Sequence, residues 1–91
     1  MTTNHHELKT WPRFFEHVWL GMKLFEVRKN DRHFQVHDTV ELREWDNQTK
    51  TYTGRSITAD VGYVLRAENL GFGIEPGYCV LGLFNLVKKQ K

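Results

Sequence analysis

The chain has 91 residues, of which 40% are hydrophobic, 26% are charged and 13% are aromatic, and its formal net charge is +2. This length fits one domain over residues 1–91, and so small a net charge does not by itself indicate a nucleic-acid-binding protein. The single cysteine, Cys79, excludes an internal disulfide and a cysteine-based zinc site. No apolar run approaches the ~20 residues of a membrane span, and residues 1–10 lack the apolar segment of a signal peptide, so we expect a cytoplasmic protein without a membrane partner.

The first predicted elements are a strand over residues 5–9 and a helix over residues 11–20. Thr10 is a good helix N-cap, and Pro12 is tolerated in the first helical turn. Gly21 can adopt the left-handed conformation that ends a helix. The spacing typical of one buried helix face is seen in Phe15, Val18, Trp19 and Met22.

A charged strand is predicted next, over residues 23–29, with a turn at Asn30 and Asp31. Its side chains alternate between two faces, as they do in any strand. One face carries Lys23, Phe25 and Val27, and the other carries Leu24, Glu26 and Arg28.

Three further strands are predicted over residues 38–45, 55–65 and 78–87. The last of them is apolar on both faces, which is typical of a central or barrel-closing strand. Gly62 indicates a bend or bulge in the second of the three. The side chains predicted to share the inward faces are those of Val40, Leu42, Ile57, Ala59, Val61, Tyr63 and Leu65.

The order of these elements predicts an α+β fold that is mainly β, with about five strands and one short helix after the first strand. Short strands leave sheet edges that need covering. Curling into a small barrel removes most of these edges, and the helix is expected to plug one end. Residues 66–77 are predicted to form a glycine-rich loop and residues 88–91 a flexible tail.

The charged strand is the first candidate site. Glu26 and Arg28 project the same way, roughly 7 Å apart at Cα. They form either a surface salt bridge worth ~0–1 kcal/mol or a polar cluster in a cleft. In a cleft, Arg28 is a donor for phosphate or a base edge, while Glu26 orients it or acts as an acid or base. Lys23 either extends from the core edge into solvent, contacts an anion, or is a reactive amine.

The turn after this strand is the second candidate. Aromatic residues Phe34 and Trp45 follow it, and Phe72 lies in the later loop. Basic side chains beside aromatic surfaces suit single-stranded nucleic acids, although such a run is more often a solvated loop. The residues of this turn, which mix both signs of charge, are Lys29, Asn30, Asp31 and Arg32.

We expect no metal site and no cofactor. His5 and His6 point to opposite strand faces, so they cannot share an ion. His33 and His37 are four residues apart but have no carboxylate-rich helix around them, so four ligands cannot be assembled. Cys79 lies in an apolar strand and is expected to be inert.

The sequence GMKLFEVR at residues 21–28 resembles the G-x-K-x-x-E-x-R signature of ASCH domains, which belong to the PUA-like superfamily. RKNDRHFQVHD at residues 28–38 resembles the RKNDRxFxxGD continuation of one branch, which comprises small bacterial and phage-borne proteins. His37 stands where that branch usually has glycine, which predicts a strained or reshaped turn. Further matches to the branch are LREW at 42–45, YTGR at 52–55 and GYCVL at 77–81.

This resemblance implies a PUA-like pseudo-barrel with a cleft beside the helix that receives RNA or a nucleotide. By the same analogy Lys23, Glu26 and Arg28 face the ligand. The first interpretation is therefore an RNA- or nucleotide-binding module. In it Lys23, Arg28 and Arg32 contact phosphate or a base edge. The stacking surface is supplied by Trp45, Phe34 or Phe72.

Two alternatives stay open. Some ASCH-like proteins are amidohydrolases that deacylate modified cytidine, and other relatives are reported as ribonucleases, so Lys23 and Glu26 are also candidate catalytic residues of a hydrolase. Glu26 stands where the amidohydrolase motif has threonine, and Glu68 or Glu75 would have to replace its separate glutamate. The last alternative is a phage protein that binds a host protein.

Overall fold

The computed structural model describes residues 3–90. Its strands are β1 (His5–Thr10), β2 (Phe25–Lys29), β3 (Thr39–Asp46), β4 (Thr51–Arg66) and β5 (Tyr78–Lys89), and its helices are α1 (Pro12–Trp19) and α2 (Ala67–Leu70). The strands form one sheet in the order β1-β3-β4-β5-β2, in which β1 pairs parallel with β3 and the other pairs are antiparallel. The sheet curls into a half-barrel, so the predicted α+β, mainly β fold is confirmed.

The core lies inside the curl, between the sheet and α1. Phe15 and Val18 of α1 are fully buried there, as the helical spacing predicts, and Trp19 is partly buried against them. The prediction that Met22 shares this buried face is wrong: Met22 is 72% exposed, because it lies beyond the end of the helix. Val40 and Leu42 of β3 are also fully buried. Burial raises the pKa of the Cys79 thiol, which disfavours the reactive thiolate. Within the described residues, neither helix has the length and apolar character that a bilayer crossing requires.

The start of α1 differs from the prediction. The N-cap residue is Trp11, in extended conformation, and no side chain caps the helix. Thr10 is not the cap because it is the last residue of β1, where its buried side chain faces the sheet interior. The end of the helix agrees with the prediction, since Gly21 follows it at φ 78°.

Gly62 does mark a bulge, because the register of β4 against β5 shifts between Val61 and Tyr63. The extra residue turns Tyr63 outward, so that 64% of it is exposed. The prediction that Tyr63 shares the inward face is therefore wrong, and Val64 takes that place. Leu65, also predicted inward, is half-buried.

β5 is a central strand, as its apolar sequence predicts, because it lies between β4 and β2. It continues to Lys89, and Lys88 and Lys89 pair with Ile57 and Ser56. Two residues of the segment 88–91 are therefore strand, while the last one lies outside the described residues. The predicted loop over 66–77 contains the single turn of α2.

The turn before β3 has the backbone that the glycine of the resembling branch favours. His37 has φ 80°, and its amide donates to the Val61 carbonyl at 2.9 Å. A side chain in this left-handed region is strained. His37 therefore occupies, with strain, a backbone conformation that glycine adopts freely.

Candidate functional site

A cleft of about 940 Å³ opens between the two edges of the half-barrel, β1 and β2, beside the start of α1. β2 presents to it one buried carboxylate, Glu26, and one half-buried guanidinium, Arg28. The side chains that line the cleft are Lys9, Thr10, Trp11, Phe14, His17, Lys23, Phe25, Glu26, Val27, Arg28 and Tyr78. Its walls are therefore largely aromatic, and its floor is charged.

Lys23, Glu26 and Arg28 form an ionic trio in this cleft. Lys23 Nζ donates to Glu26 Oε2 at 2.6 Å. Arg28 donates to Glu26 Oε1 from Nε at 3.1 Å and from Nη2 at 3.0 Å. Glu26 is only 3% exposed, and a buried carboxylate needs such partners because its desolvation is costly. The sequence-predicted site residues on β2 are thus brought together in a concave surface.

The inward face of β2 is the charged one. Glu26 is buried, whereas Phe25 and Val27 are 44% and 54% exposed. Lys23 precedes the strand and reaches Glu26, so its predicted grouping with the Phe25 and Val27 face is wrong. The reason is its position in the turn after α1, where the Lys23 amide donates to the His17 carbonyl and no strand alternation applies.

Arg28 also joins the two unpaired edges of the sheet. Its Nη2 donates to the Lys9 carbonyl at 3.0 Å and to Thr10 Oγ1 at 3.0 Å, both on β1. No strand pairing connects β1 with β2 among residues 3–90. The Arg28 side chain therefore closes the open side of the half-barrel at the floor of the cleft.

The ionic trio keeps hydrogen-bond donors for a ligand. Lys23 Nζ has three N–H groups and uses two, on Glu26 and on the Phe25 carbonyl at 2.7 Å. Arg28 Nη1 makes no hydrogen bond to a residue between 3 and 90. Two cations against one carboxylate leave a net positive charge. The floor of the cleft can therefore bind an anion or a carbonyl-bearing base edge.

The turn residues predicted to bind nucleic acid mostly hold the fold. The Asn30 side chain accepts a hydrogen bond from the Phe34 amide at 3.3 Å. Arg32 donates to the Glu7 carbonyl of β1 at 2.8 Å. Lys29 is exposed at the end of β2. None of these three is among the residues that line the cleft.

The three predicted stacking residues lie apart from the cleft. Phe34 is 1% exposed and packs edge-on against His6, with 4.6 Å between the two ring centres. It therefore offers no ring face to a base, and its predicted stacking role is wrong. Its apolar ring completes the core beneath the turn. Phe72 is 73% exposed beside a separate depression near α2. Trp45 is half-buried on the outer face of the sheet, against Tyr52.

The aromatic walls were missed by sequence reasoning. Trp11 and Phe14 are 48% and 44% exposed and come from the beginning of α1, while Tyr78 begins β5. One signal was available: Phe14 falls outside the buried stripe of the helix that contains Phe15 and Val18. An exposed aromatic residue on the polar side of a short helix is a candidate contact residue.

A second ion cluster, the Arg55 cluster, lies near the other end of α1. Arg55 donates to Glu44 from Nε at 2.9 Å and from Nη2 at 3.0 Å, and to Glu16 at 2.9 Å. The hydrogen bond from Arg55 outweighs burial and lowers the pKa of Glu44. The same bond raises the pKa of Arg55. This cluster ties α1 to β3 and β4.

Asp38 holds the start of β1 to the turn before β3. It accepts hydrogen bonds from His6 Nε2 at 2.9 Å and from the Asn4 and Gln35 amides, both at 3.0 Å. Burial raises the pKa of Asp38, but these hydrogen bonds outweigh it, and the net result is a lowered pKa. His5 lies on the opposite, exposed face of β1, as predicted.

One exposed group of potential metal ligands is present in the described part of the chain. Ligand atoms of His5, Glu7 and Glu41 lie within 4.8 Å of one another. Glu7 and Glu41 are register partners on β1 and β3, and this cross-strand contact is not visible in the spacing of residues along the sequence. Solvent exposure and the nearby Arg43 account for these carboxylates without an ion, and Arg43 lies 3.7 Å from Glu7.

Comparison with known proteins shows that the chain matches a protein family over most of its length. The family described as "Domain of unknown function (DUF3850)" matches residues 5–83, which include β1, the ionic trio and the first half of β5. The chain is also 36% identical over 61 residues to the "Uncharacterized 12.9 kDa protein in GpA 3'region" of Escherichia phage P2. That match covers 67% of this chain and 54% of the phage protein, so the chain spans about half the length of the curated relative it matches.

Proposed function

This chain belongs to the DUF3850 family, and we propose that it binds RNA through the cleft between β1 and β2. One observation carries the proposal: the spare donors of Lys23 and Arg28 lie at the floor of a cleft whose walls are aromatic. Stacking on aromatic side chains and hydrogen bonds to unpaired base edges are how proteins recognise single-stranded RNA.

The proposed relation to ASCH domains of the PUA-like superfamily supports the same reading. The three ionic residues of the signature-like stretch GMKLFEVR are the ones that form the ionic trio. If the relation holds, the signature serves to pair a buried glutamate with two cations whose remaining donors point to a ligand. Fold-level analogy alone is an associational argument, so the contacts of the trio remain the main support.

The aromatic wall gives the sharpest test, because its side chains do not hold the trio together. We expect Phe14→Ala to weaken binding of a labelled single-stranded RNA by about tenfold, from the loss of ~1–3 kcal/mol of stacking. Fluorescence anisotropy measures this. The matched control is Phe84→Ala, which removes a similarly exposed phenylalanine on β5 outside the cleft.

A second variant reports on the charged floor. Lys23→Gln removes one cation but leaves Arg28 paired with Glu26. For a single strand, the slope of log affinity against log salt should become shallower by about 0.7 for each lost phosphate contact. Equal affinities for wild type, Phe14→Ala and Lys23→Gln across the salt titration would remove the proposal. Binding of DNA as tight as RNA would widen it to single strands in general.

The hydrolase alternative has less support from the geometry. The two candidate catalytic groups are paired with each other, since Lys23 Nζ donates to Glu26 Oε2, and Glu26 also accepts hydrogen bonds from Arg28. Glu68 lines the separate depression near α2, and Glu75 lies in the loop before β5. Turnover of N4-acetylcytidine or of the RNA probe by wild type, absent in Lys23→Gln, would restore this alternative over simple binding.

A further inference from the structure

Two adjoining aromatic rings, each covered by one cation, lie on the outer face of the sheet and form what we call the ladder: Lys9, Trp45, Tyr52 and Arg43. Lys9 Nζ lies 4.1 Å from the centre of the Trp45 ring. Trp45 meets Tyr52 edge to face at 4.8 Å. The Arg43 guanidinium lies 4.0 Å from the centre of the Tyr52 ring. Each rung is a contact between neighbouring strands, since Lys9 pairs with Arg43 and Trp45 pairs with Tyr52.

The ladder is continuous with the cleft through Lys9. This residue lines the cleft, its carbonyl accepts a hydrogen bond from Arg28, and its ammonium group lies over Trp45. At the far end, Arg43 and Tyr52 line a second groove of about 490 Å³, whose lining also includes the cations Arg55 and Lys89 and one carboxylate, Glu41. A path lined by cations and rings therefore leads from the ionic trio, across β1 and β3, to the groove on β4.

The charges along this path favour an anionic chain. Within residues 3–90, neither Lys9 nor Lys89 forms an ion pair, and the pair between Arg43 and Glu7 is long at 3.7 Å. Proteins bind single-stranded nucleic acids through cations that follow the phosphate backbone and aromatic rings on which the bases stack. The acidic residues Glu7 and Glu41 lie on the same outer face toward the start of β1. Glu41 also lines the second groove, where the cations Arg43 and Lys89 outnumber it.

We infer that RNA held in the cleft continues over Lys9 onto the ladder, so that the ligand is an oligonucleotide and not a free nucleotide. This inference rests on the proposed function. Neighbouring strands lie roughly 4.8 Å apart, so Tyr52, two strands from β1, is about 10 Å farther along the sheet. That distance requires more than the one nucleotide in the cleft. We assign the second base-stacking surface to Tyr52, which is 41% exposed, and to the Arg43 guanidinium beside its ring.

The test compares UMP with hexauridylate by competition against a labelled RNA. Wild type should bind hexauridylate at least about tenfold more tightly than UMP, because a second stacking contact is gained. Tyr52→Ala should remove most of that difference while leaving the affinity for UMP unchanged. Tyr63→Ala is the matched control, because Tyr63 is an exposed tyrosine of the same strand outside both grooves.

The possible results separate this inference from the proposed function. Equal affinities for UMP and hexauridylate, with Tyr52→Ala like wild type, would overturn the inference and leave the cleft as a nucleotide site. A loss of UMP affinity in Tyr52→Ala equal to the loss for hexauridylate would also overturn it, since Tyr52 would then act on the cleft itself. If wild type binds neither ligand, the proposed function fails and the inference fails with it.

Discussion

The ionic trio and the Arg55 cluster are both built from ion pairs, but the ratio of cations to carboxylates is reversed between them. In the trio, one carboxylate, Glu26, accepts hydrogen bonds from two cations. In the Arg55 cluster, one guanidinium donates to two carboxylates and lies against both the Phe15 and Trp19 rings, 5.1 and 4.8 Å from their centres. The first arrangement has a surplus of cationic donors, and the second has a surplus of carboxylate.

The difference shows that the proportion of charges, more than their number, distinguishes a candidate binding site from a structural tie. Both clusters include a nearly buried glutamate, and both connect separate elements of the fold. The excess cationic donors of the trio lie at the floor of a cleft with aromatic walls. The Arg55 side chain is as exposed as that of Arg28, 24% in each, but its guanidinium is shared by two carboxylates, so that cluster serves to hold α1 on the sheet.

The largest expected effect is on stability, and it compares the two buried glutamates. Glu26→Gln leaves Lys23 and Arg28 without their common partner, so we expect a loss of about 3–5 kcal/mol in the free energy of unfolding. Glu44→Gln leaves Arg55 with Glu16, so its loss should be smaller, about 1–2 kcal/mol. Urea unfolding followed by tryptophan fluorescence measures both.

The exposed glutamate Glu75 is the reference for these two variants, since Glu75→Gln should change stability by less than about 0.5 kcal/mol. Equal losses for Glu26→Gln and Glu44→Gln would break the comparison. In that case, removing the shared carboxylate of the trio would destabilise the fold no more than removing Glu44. The ratio of cations to carboxylates would then not distinguish the two clusters.

An acid titration isolates the Arg55 cluster. The folded-state pKa of Glu44 is lowered below its ordinary value of 4.5, first by the hydrogen bond from Arg55. The stabilisation is therefore complete above this ordinary value and is lost as the pH falls through the folded-state pKa. Wild type should become less stable below about pH 4.5, and Glu44→Gln should lose less over the same range.

The residual acid sensitivity of Glu44→Gln should come in part from Asp38, whose pKa is also lowered in the folded state. Urea unfolding at a series of pH values from 7 downward measures both slopes. A slope of stability against pH that Glu44→Gln leaves unchanged would show that this carboxylate is not held by Arg55 in solution.

The smallest effect concerns the exposed member of the Arg55 cluster. The Glu16 side chain is 48% exposed, and exposed ion pairs contribute ~0–1 kcal/mol. Glu16→Gln should therefore lower the free energy of unfolding by less than about 0.5 kcal/mol, and high salt should abolish the difference. A larger loss in urea unfolding for Glu16→Gln than for Glu44→Gln would mean that Glu16, and not Glu44, is the main tie of α1 to the sheet.

Much of the fold was readable from local patterns. Helical spacing identified α1, Gly21 its end, and Gly62 the bulge in β4, because these features depend on neighbouring residues alone. The prediction was wrong for Thr10, which ends β1 and does not cap α1, and for Tyr63, which faces outward and not inward. In each case a boundary or a bulge shifted the register, and alternation along a strand cannot show where such a shift occurs.

The sequence by itself determined that Glu26 and Arg28 share one face of β2, since alternate strand residues must point the same way. Tertiary structure alone decided that this face is the buried one, because β2 is an edge strand whose interior side meets β1 across a cleft and not across a packed core. It also brought Trp11, Phe14 and Tyr78 around the trio from two other elements. Contacts between residues distant in sequence depend on how the whole sheet curls, and no local pattern encodes that curvature.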